Sequence, residues 1–354
     1  MAEAILLTLL GLILLLAGAE LVVRGAIKTA ELLRAPAILV GLTLVAWGTS
    51  APEIAVSVTA AANNFPEVAV GNIIGSNILN ILLILGLGAM ILPLSVNEQF
   101  VRRDIPVLLV ATAAAWFLLS DGSLSTTDGF ILLIGLIAYT GSLYLNARKT
   151  KTVDDLLQDK SPEPVTAGAI VYAAGSLLVG ITALTFGSRY FTNGAVEVAM
   201  WAGVSERVIA VTLVSIGTSL PEVAASVMAS IRKQPDLAVG NVIGSNLFNL
   251  LAILGLSGVA GGQLVLPETM VGPDMAVVLG AAVLVLPLAV SGMTITRLEG
   301  VLLLVLALGY LLWLLLGTES VVWPAWAFLG ASVLYAAFSL TVHAVRRGKA
   351  NRSS

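Results

Sequence analysis

Apolar stretches recur from one end of the chain to the other, near 4–24, 37–62, 67–92, 105–120, 129–147, 165–188, 207–231, 236–260, 274–291, 298–316 and 321–344. Most approach the roughly 20 residues that an α-helix needs to cross the hydrocarbon core of a bilayer. The pattern predicts eleven spans. One substantial hydrophilic connector interrupts it, carrying Arg148, Lys149, Lys151, Asp154, Asp155, Asp159 and Lys160. It separates two sets of five spans and leaves the eleventh outside the symmetry. The expected fold is all-α and polytopic. Residues 1–147 and 165–316 form five-helix units, 148–164 a cytoplasmic linker, and 317–354 an extra helix with a basic tail. The first segment reads as a span and not as a cleaved signal, because it leads with Glu3 and no Lys or Arg.

Composition narrows the class. Hydrophobic residues make up 58% of the 354 positions and charged residues 11%, against roughly 25% charge in a soluble domain. Cysteine is absent, which excludes disulfides, thiolate metal sites and cysteine nucleophiles. No basic patch lies outside short loops, so no nucleic-acid partner is expected. With the N-terminus outside, 16 of the 18 Lys and Arg residues fall on the inner face, leaving only Arg189 and Arg207 outside. Cytoplasmic loops retain positive charge, so the expected location is the cell's inner (plasma) membrane, with the N-terminus out and the C-terminus in.

A duplication carries the functional information. Residues 43–87 align without a gap to residues 212–256 at an offset of 169, with 27 identities in 45 positions. Many identities fall on Gly, Thr, Ser, Pro, Glu and Asn, which apolar helices do not share by chance. The copies occupy spans 2–3 and 7–8. An odd difference in span number makes the second copy cross the membrane in the opposite direction. Inverted repeats are a transporter architecture, with binding near the midplane.

Each copy holds one acidic residue deep in a span, Glu53 and Glu222. A carboxylate there costs several kcal/mol unless it is paired, neutralised or hydrated. No Lys, Arg or His lies at comparable depth, so both are expected to face the interior and hold cations, or to be protonated when empty. The bland reading is a buried Glu bonded to backbone. Pro52 and Pro221 cannot donate to the carbonyls of Gly48 and Gly217 four residues back, so the Gly-Thr-Ser stretches can unwind and present carbonyl oxygens. A simple kink relieved by hydroxyls is the alternative. Thr49 and Glu53, like Thr218 and Glu222, share a helix face. Asn72, Ser76 and Asn80 form a polar stripe at spacing four, matched by Asn241, Ser245 and Asn249, although such stripes also serve as packing glue. The resulting ligand pool is all oxygen and suits hard cations such as Ca²⁺ and Na⁺, whereas Zn²⁺ or Cu²⁺ call for His or Cys.

At Gly48–Glu53 with Gly71–Asn77, and again at Gly217–Glu222 with Gly240–Asn246, the chain resembles the calcium/cation antiporter superfamily, in particular its prokaryotic sodium/calcium exchanger-like members. The resemblance covers about residues 1–316. It implies an exchanger with alternating access, not an enzyme, and no cofactor beyond the transported ions Ca²⁺ and Na⁺ or H⁺. It also implies Ca²⁺ bound by Glu53 and Glu222 with the backbone carbonyls of Thr49 and Thr218. Sodium sites are implied at the same glutamates with Ser50, Ser76, Ser219 and Ser245 and the carbonyls of Ala46 and Ser215, with Asn80 and Asn249 also facing the site. Several sodium/calcium members carry Asp where this chain has Asn249, so one titratable group is missing and the coupling ion stays open. Proton-coupled exchange of Ca²⁺ or another divalent ion is the first alternative. A cation channel would need a continuous pore. An intramembrane hydrolase built on Ser50 or Ser219 would lack a His or Lys base.

Overall fold

The computed structural model describes residues 1–98, 100–157, 166–204, 215–316 and 322–350. The chain is mostly helical, as it must be where no water can satisfy backbone N–H and C=O groups. In order the elements are α1 (Ala2–Leu33), α2 (Ala37–Thr49), α3 (Ala51–Ala62), α4 (Pro66–Ile91), β1 (Leu94–Ser95), α5 (Ile105–Leu119), β2 (Ser123–Ser125) and α6 (Thr126–Leu157). They continue with α7 (Ala167–Trp201), α8 (Ser215–Thr218), α9 (Leu220–Ile231), α10 (Pro235–Gly261), β3 (Gln263–Val265), α11 (Met270–Val290), β4 (Thr294–Ile295), α12 (Arg297–Leu315) and α13 (Trp323–Ala350). Among the described residues, 8 helices are long and apolar enough to cross a membrane, and the bent pair α2–α3 makes 9. The start of the seventh span, Arg207 and most of the linker's second half lie outside the described residues.

Several helices run longer than their apolar cores. The reading of span 1 stops at 24 and that of span 6 at 188, yet α1 reaches Leu33 and α7 reaches Trp201. Arg24, Lys28 and Glu31, like Arg189, Asn193 and Glu197, end the hydrophobic run without ending the helix. At about 1.5 Å per residue, helices of 32 and 35 residues exceed a core about 30 Å thick, which leaves length for polar ends beyond the hydrocarbon. Likewise α6 continues to Leu157, so the charged connector begins as a helical extension.

The helices α4, α10 and α11 form the centre, and α1, α6, α7, α12 and α13 the periphery. The peripheral helices expose residues such as Leu6, Ile13, Val171, Leu178, Leu298 and Leu334, as helices facing lipid should. Where α1 and α7 cross, the two backbones touch. A Cβ added at Gly18 would lie 2.8 Å from the Gly180 carbonyl oxygen, and one at Gly187 would lie 2.9 Å from Leu15 N. Gly11, Gly18 and Gly25 on α1 sit 169 positions before Gly180, Gly187 and Gly194 on α7. Gly11 meets Gly187 and Phe191, whereas Gly25 meets Ala173 and Leu177, so the helices cross antiparallel. Small residues permit such close approach in membranes.

The same offset governs the turns. Asn64 and Lys233 both adopt φ 58, the left-handed conformation that lets α3 reverse into α4 and α9 into α10. Two short antiparallel pairs tie the loops together: Leu94 opposite Ile295, and Ser123 opposite Val265. The last helix, α13, packs on α11, where Phe328 covers Gly280, and Trp326 lies 5.8 Å from the Trp116 ring.

Candidate functional site

The two motif helices break where proline withholds an N–H. In the first, Ser50 (φ −79, ψ 10) separates α2 from α3, which are bent by 51°. In the second, Ser219 (φ −87, ψ 5) separates α8 from α9. The unwinding is narrower than the expected Gly-Thr-Ser stretch: Gly48 and Thr49 remain in α2, Gly217 and Thr218 in α8. Pro52 and Pro221 fall in the first turn of α3 and α9, where a missing donor is tolerated. The Ala46 carbonyl accepts Ser50 N–H at 3.1 Å and the Thr49 hydroxyl at 3.4 Å. Ser215 begins α8.

At the centre the halves interlock. The Ser50 hydroxyl donates to Glu222 Oε1 at 2.8 Å. The Ser219 hydroxyl lies 3.2 Å from Glu53 Oε1 and 3.1 Å from Ser76 Oγ. Each serine therefore contacts the other half's glutamate. Both glutamates are 1% exposed, and neither has an ion-pair partner among the described residues. Asn80 Nδ2 donates to Asn246 Oδ1 at 3.0 Å. Around them, Glu53 Oε2, Glu222 Oε2, Asn80 Oδ1, Asn249 Oδ1 and Ser245 Oγ are buried without a hydrogen-bond partner. Buried polar oxygens are almost always paired. These five, and Asn77 Oδ1 as a sixth, fall on residues of the duplicated segment, and their chemistry is that of hard-cation ligands. Asn80 and Asn249 each open a wide π turn, Asn80–Leu85 and Asn249–Ile253, a local distortion frequent at functional sites.

Asn72 and Asn241 act one layer out. The Thr218 hydroxyl donates to Asn72 Oδ1 at 3.1 Å, and Asn72 Nδ2 donates to Ser57 Oγ at 3.0 Å. In the other half Thr49 Oγ1 lies 3.4 Å from Asn241 Oδ1, whose Nδ2 donates to Ser226 Oγ at 2.9 Å. Each broken helix is thus tethered through its threonine to the opposite half, and the threonine hydroxyls are engaged by protein. Asn77, Asn246, Ser57 and Ser226 were not among the expected site residues. All four are identities in the duplicated segment, a signal passed over because they lie off the Asn72–Asn80 and Asn241–Asn249 stripes.

The halves are not equivalent in exposure. Asn72, Gly75 and Thr218 are half-buried, whereas Asn241, Gly244 and Thr49 are buried. One cavity of about 560 Å³ reaches Asn72, Ser76 and Thr218 past Glu67 and Asp274. A second, of about 640 Å³, reaches Thr218 past Asn63 and Arg189. On the opposite face α2 lies against α10, where an added Cβ on Gly244 would meet Leu42 Cα at 2.7 Å. There Arg232 grips Glu20 through two hydrogen bonds, Nε to Oε2 at 2.8 Å and a second from its Nη2, and Arg24 Nε adds a third at 2.6 Å. The positions 169 away are Asn63, Arg189 and Asn193, and all three line the second cavity.

The sodium/calcium exchanger protein family matches residues 3–145 and 172–316 of the chain. The chain is 36% identical over 313 residues to the putative antiporter CaxA of Alkalimonas amylolytica, covering 88% of this chain and 98% of that protein. It is 34% identical over 252 residues to the inner membrane protein YrbG of Escherichia coli K12, covering 71% and 78%. Among solved structures, the sodium-calcium exchanger NCX_Mj superposes with a TM-score of 0.74 at 32% identity, covering 86% of this chain and 96% of that one.

Proposed function

Because the chain belongs to the sodium/calcium exchanger family and is a membrane cation antiporter, we propose that it exchanges Na⁺ for Ca²⁺ at the site between Glu53 and Glu222. One observation carries this reading: two cross-tethered glutamates, each with one buried carboxylate oxygen unpaired, among three more unpaired oxygens. Two carboxylates balance one Ca²⁺, and the remaining amide and hydroxyl oxygens complete a hard-cation shell. Na⁺ uses the same oxygens, so the two ions occupy the site by turns. NCX_Mj is named a sodium-calcium exchanger, which supports this pair of ions. The protein works in the plasma membrane with its N-terminus outside, an orientation supported by the distribution of Lys and Arg.

Reconstituted protein tests the coupling. An outward Na⁺ gradient should drive Ca²⁺ uptake, and an outward H⁺ gradient of equal size should drive little. The reverse order would assign the chain to proton-coupled exchange.

Alternating access is tested by accessibility. Val56 lines both cavities and is 37% exposed, whereas Ala225, 169 positions on, is 2% exposed. The chain has no native cysteine, so single cysteines can be labelled cleanly. Val56→Cys should react with an impermeant maleimide from outside, and Ala225→Cys should resist from both sides. Removing the Glu20–Arg232 clamp with Glu20→Gln should raise the reactivity of Ala225→Cys from the inside. Equal reactivity of the two cysteines, or no response to Glu20→Gln, would contradict a closed inner face held by this clamp.

A further inference from the structure

The Gly217 carbonyl cannot be served by its own helix, because Pro221, four residues on, has no N–H. A donor arrives from α7 instead. The Ser188 hydroxyl, on a residue 3% exposed, donates to the Gly217 carbonyl at 2.5 Å. One turn further along α7, Thr192 lies against the same residue: a Cβ on Gly217 would come within 2.5 Å of Thr192 Oγ1. At the first break Pro52 frees the Gly48 carbonyl in the same way. The residue matching Ser188 at the offset of 169 is Ala19, which has no hydroxyl. There α7 presents the apolar side chain of Ile181, whose Cδ1 a Cβ on Gly48 would meet. Ile181 and Ser188 are seven residues, or two turns, apart on one helix. A single helix thus holds both breaks, with an apolar contact at one and a hydrogen bond at the other.

We infer that Ser188 is a positioning residue for ion binding, fixing the second break so that Thr218 and Ser219 point at the site. This rests on the reading of the site as an ion site. The physical link is short. Thr218 and Ser219 immediately follow Gly217, and Ser219 contacts both Glu53 and Ser76. A buried carbonyl that loses its only side-chain donor finds another by moving. Movement of Gly217 carries the Ser219 hydroxyl away from the first half's ligands. Among the described residues no side chain donates to the Gly48 carbonyl, and Ala19 at the position equivalent to Ser188 has no hydroxyl to do so, so the two halves contribute unequally even though their motifs match.

The test is equilibrium binding of ⁴⁵Ca²⁺ to the purified full chain, alongside thermal unfolding. Ser188→Ala should raise the half-saturating Ca²⁺ concentration about tenfold, the size expected for one lost buried hydrogen bond. Ser188→Thr, which keeps the hydroxyl, should stay within about twofold of the parent, and Ser188→Cys, a weak donor, should fall between them. Failure of the parent protein to bind Ca²⁺ would overturn the ion-site reading itself. A parent that binds, with Ser188→Ala binding equally well, would overturn only the positioning role. So would a fall in unfolding temperature with affinity unchanged. If Ser188→Ala does not fold, the Thr and Cys variants decide, and equal affinities in those two would overturn the inference.

Discussion

Glu53→Gln and Glu222→Gln should each abolish Ca²⁺ transport while leaving the yield of folded protein unchanged. Glutamine keeps the shape of the side chain and an oxygen to accept the hydrogen bond from Ser219 or Ser50. What it removes is one of the two negative charges on the site, in a region where no other acid is available: among the described residues there is no cluster of three or more His, Cys, Asp or Glu. Ca²⁺ affinity depends steeply on ligand charge, so the loss should be on the order of a hundredfold or more. Each single variant should be nearly as inactive as the double variant, since one carboxylate cannot balance a divalent ion. Neutralising a buried acid that has no ion-pair partner removes a desolvation cost, so unfolding temperature should hold or rise. Radiolabelled Ca²⁺ flux in proteoliposomes checks this. Near-parental flux in either variant would remove the paired-carboxylate site.

The largest effect on folding is expected at the α1–α7 crossing. Gly187→Leu would press a branched side chain into the α1 backbone, where even a Cβ lies 2.9 Å from Leu15 N and 3.0 Å from the Gly11 carbonyl oxygen. Backbone cannot yield as a side chain can, so the helices must separate and the whole glycine seam loosens. Overpacking at one core position costs about 1–3 kcal/mol, and loss of neighbouring contacts along the seam should bring the total to the upper end. Gly175→Ala, on the same helix, is the control. A Cβ there meets nothing within 4 Å, so relief of the glycine penalty should stabilise by about 0.5–1 kcal/mol. Thermal unfolding in detergent should therefore move in opposite directions for the two variants. A parental unfolding temperature for Gly187→Leu would show that the crossing does not hold the fold.

Hydrocarbon imposes one rule on every segment, so the apolar stretches mark where the described helices lie, of which 8, or 9 with the bent pair, reach spanning length against the eleven expected. Helix ends were not legible in the same way. Arg24 and Arg189 end the apolar run but do not end the helix, and nothing in hydropathy fixes where a helix stops once its apolar run is over. The candidate centre was legible through the duplication, which pairs Glu53, Ser50, Ser76 and Asn80 as equivalents of Glu222, Ser219, Ser245 and Asn249. The cross-tethering of Ser50 to Glu222 and Ser219 to Glu53 was not, because an alignment pairs equivalent residues, not touching ones. A repeat also conceals what differs between its copies. Ser188 matches Ala19, and Glu20 matches Arg189. Those differences gain meaning only when α7 is seen to reach Gly217, and Arg232 to reach Glu20.

The most direct measurement is the titration of ⁴⁵Ca²⁺ binding to the purified protein at a series of Na⁺ concentrations, with choline holding ionic strength constant. Exchange at one shared site requires that binding saturate at a single Ca²⁺ per chain. It also requires that Na⁺ raise the half-saturating Ca²⁺ concentration without lowering the maximum, and that both effects vanish in Glu53→Gln. Ca²⁺ binding that ignores Na⁺, or that survives in Glu53→Gln with its affinity intact, would contradict exchange between the two glutamates.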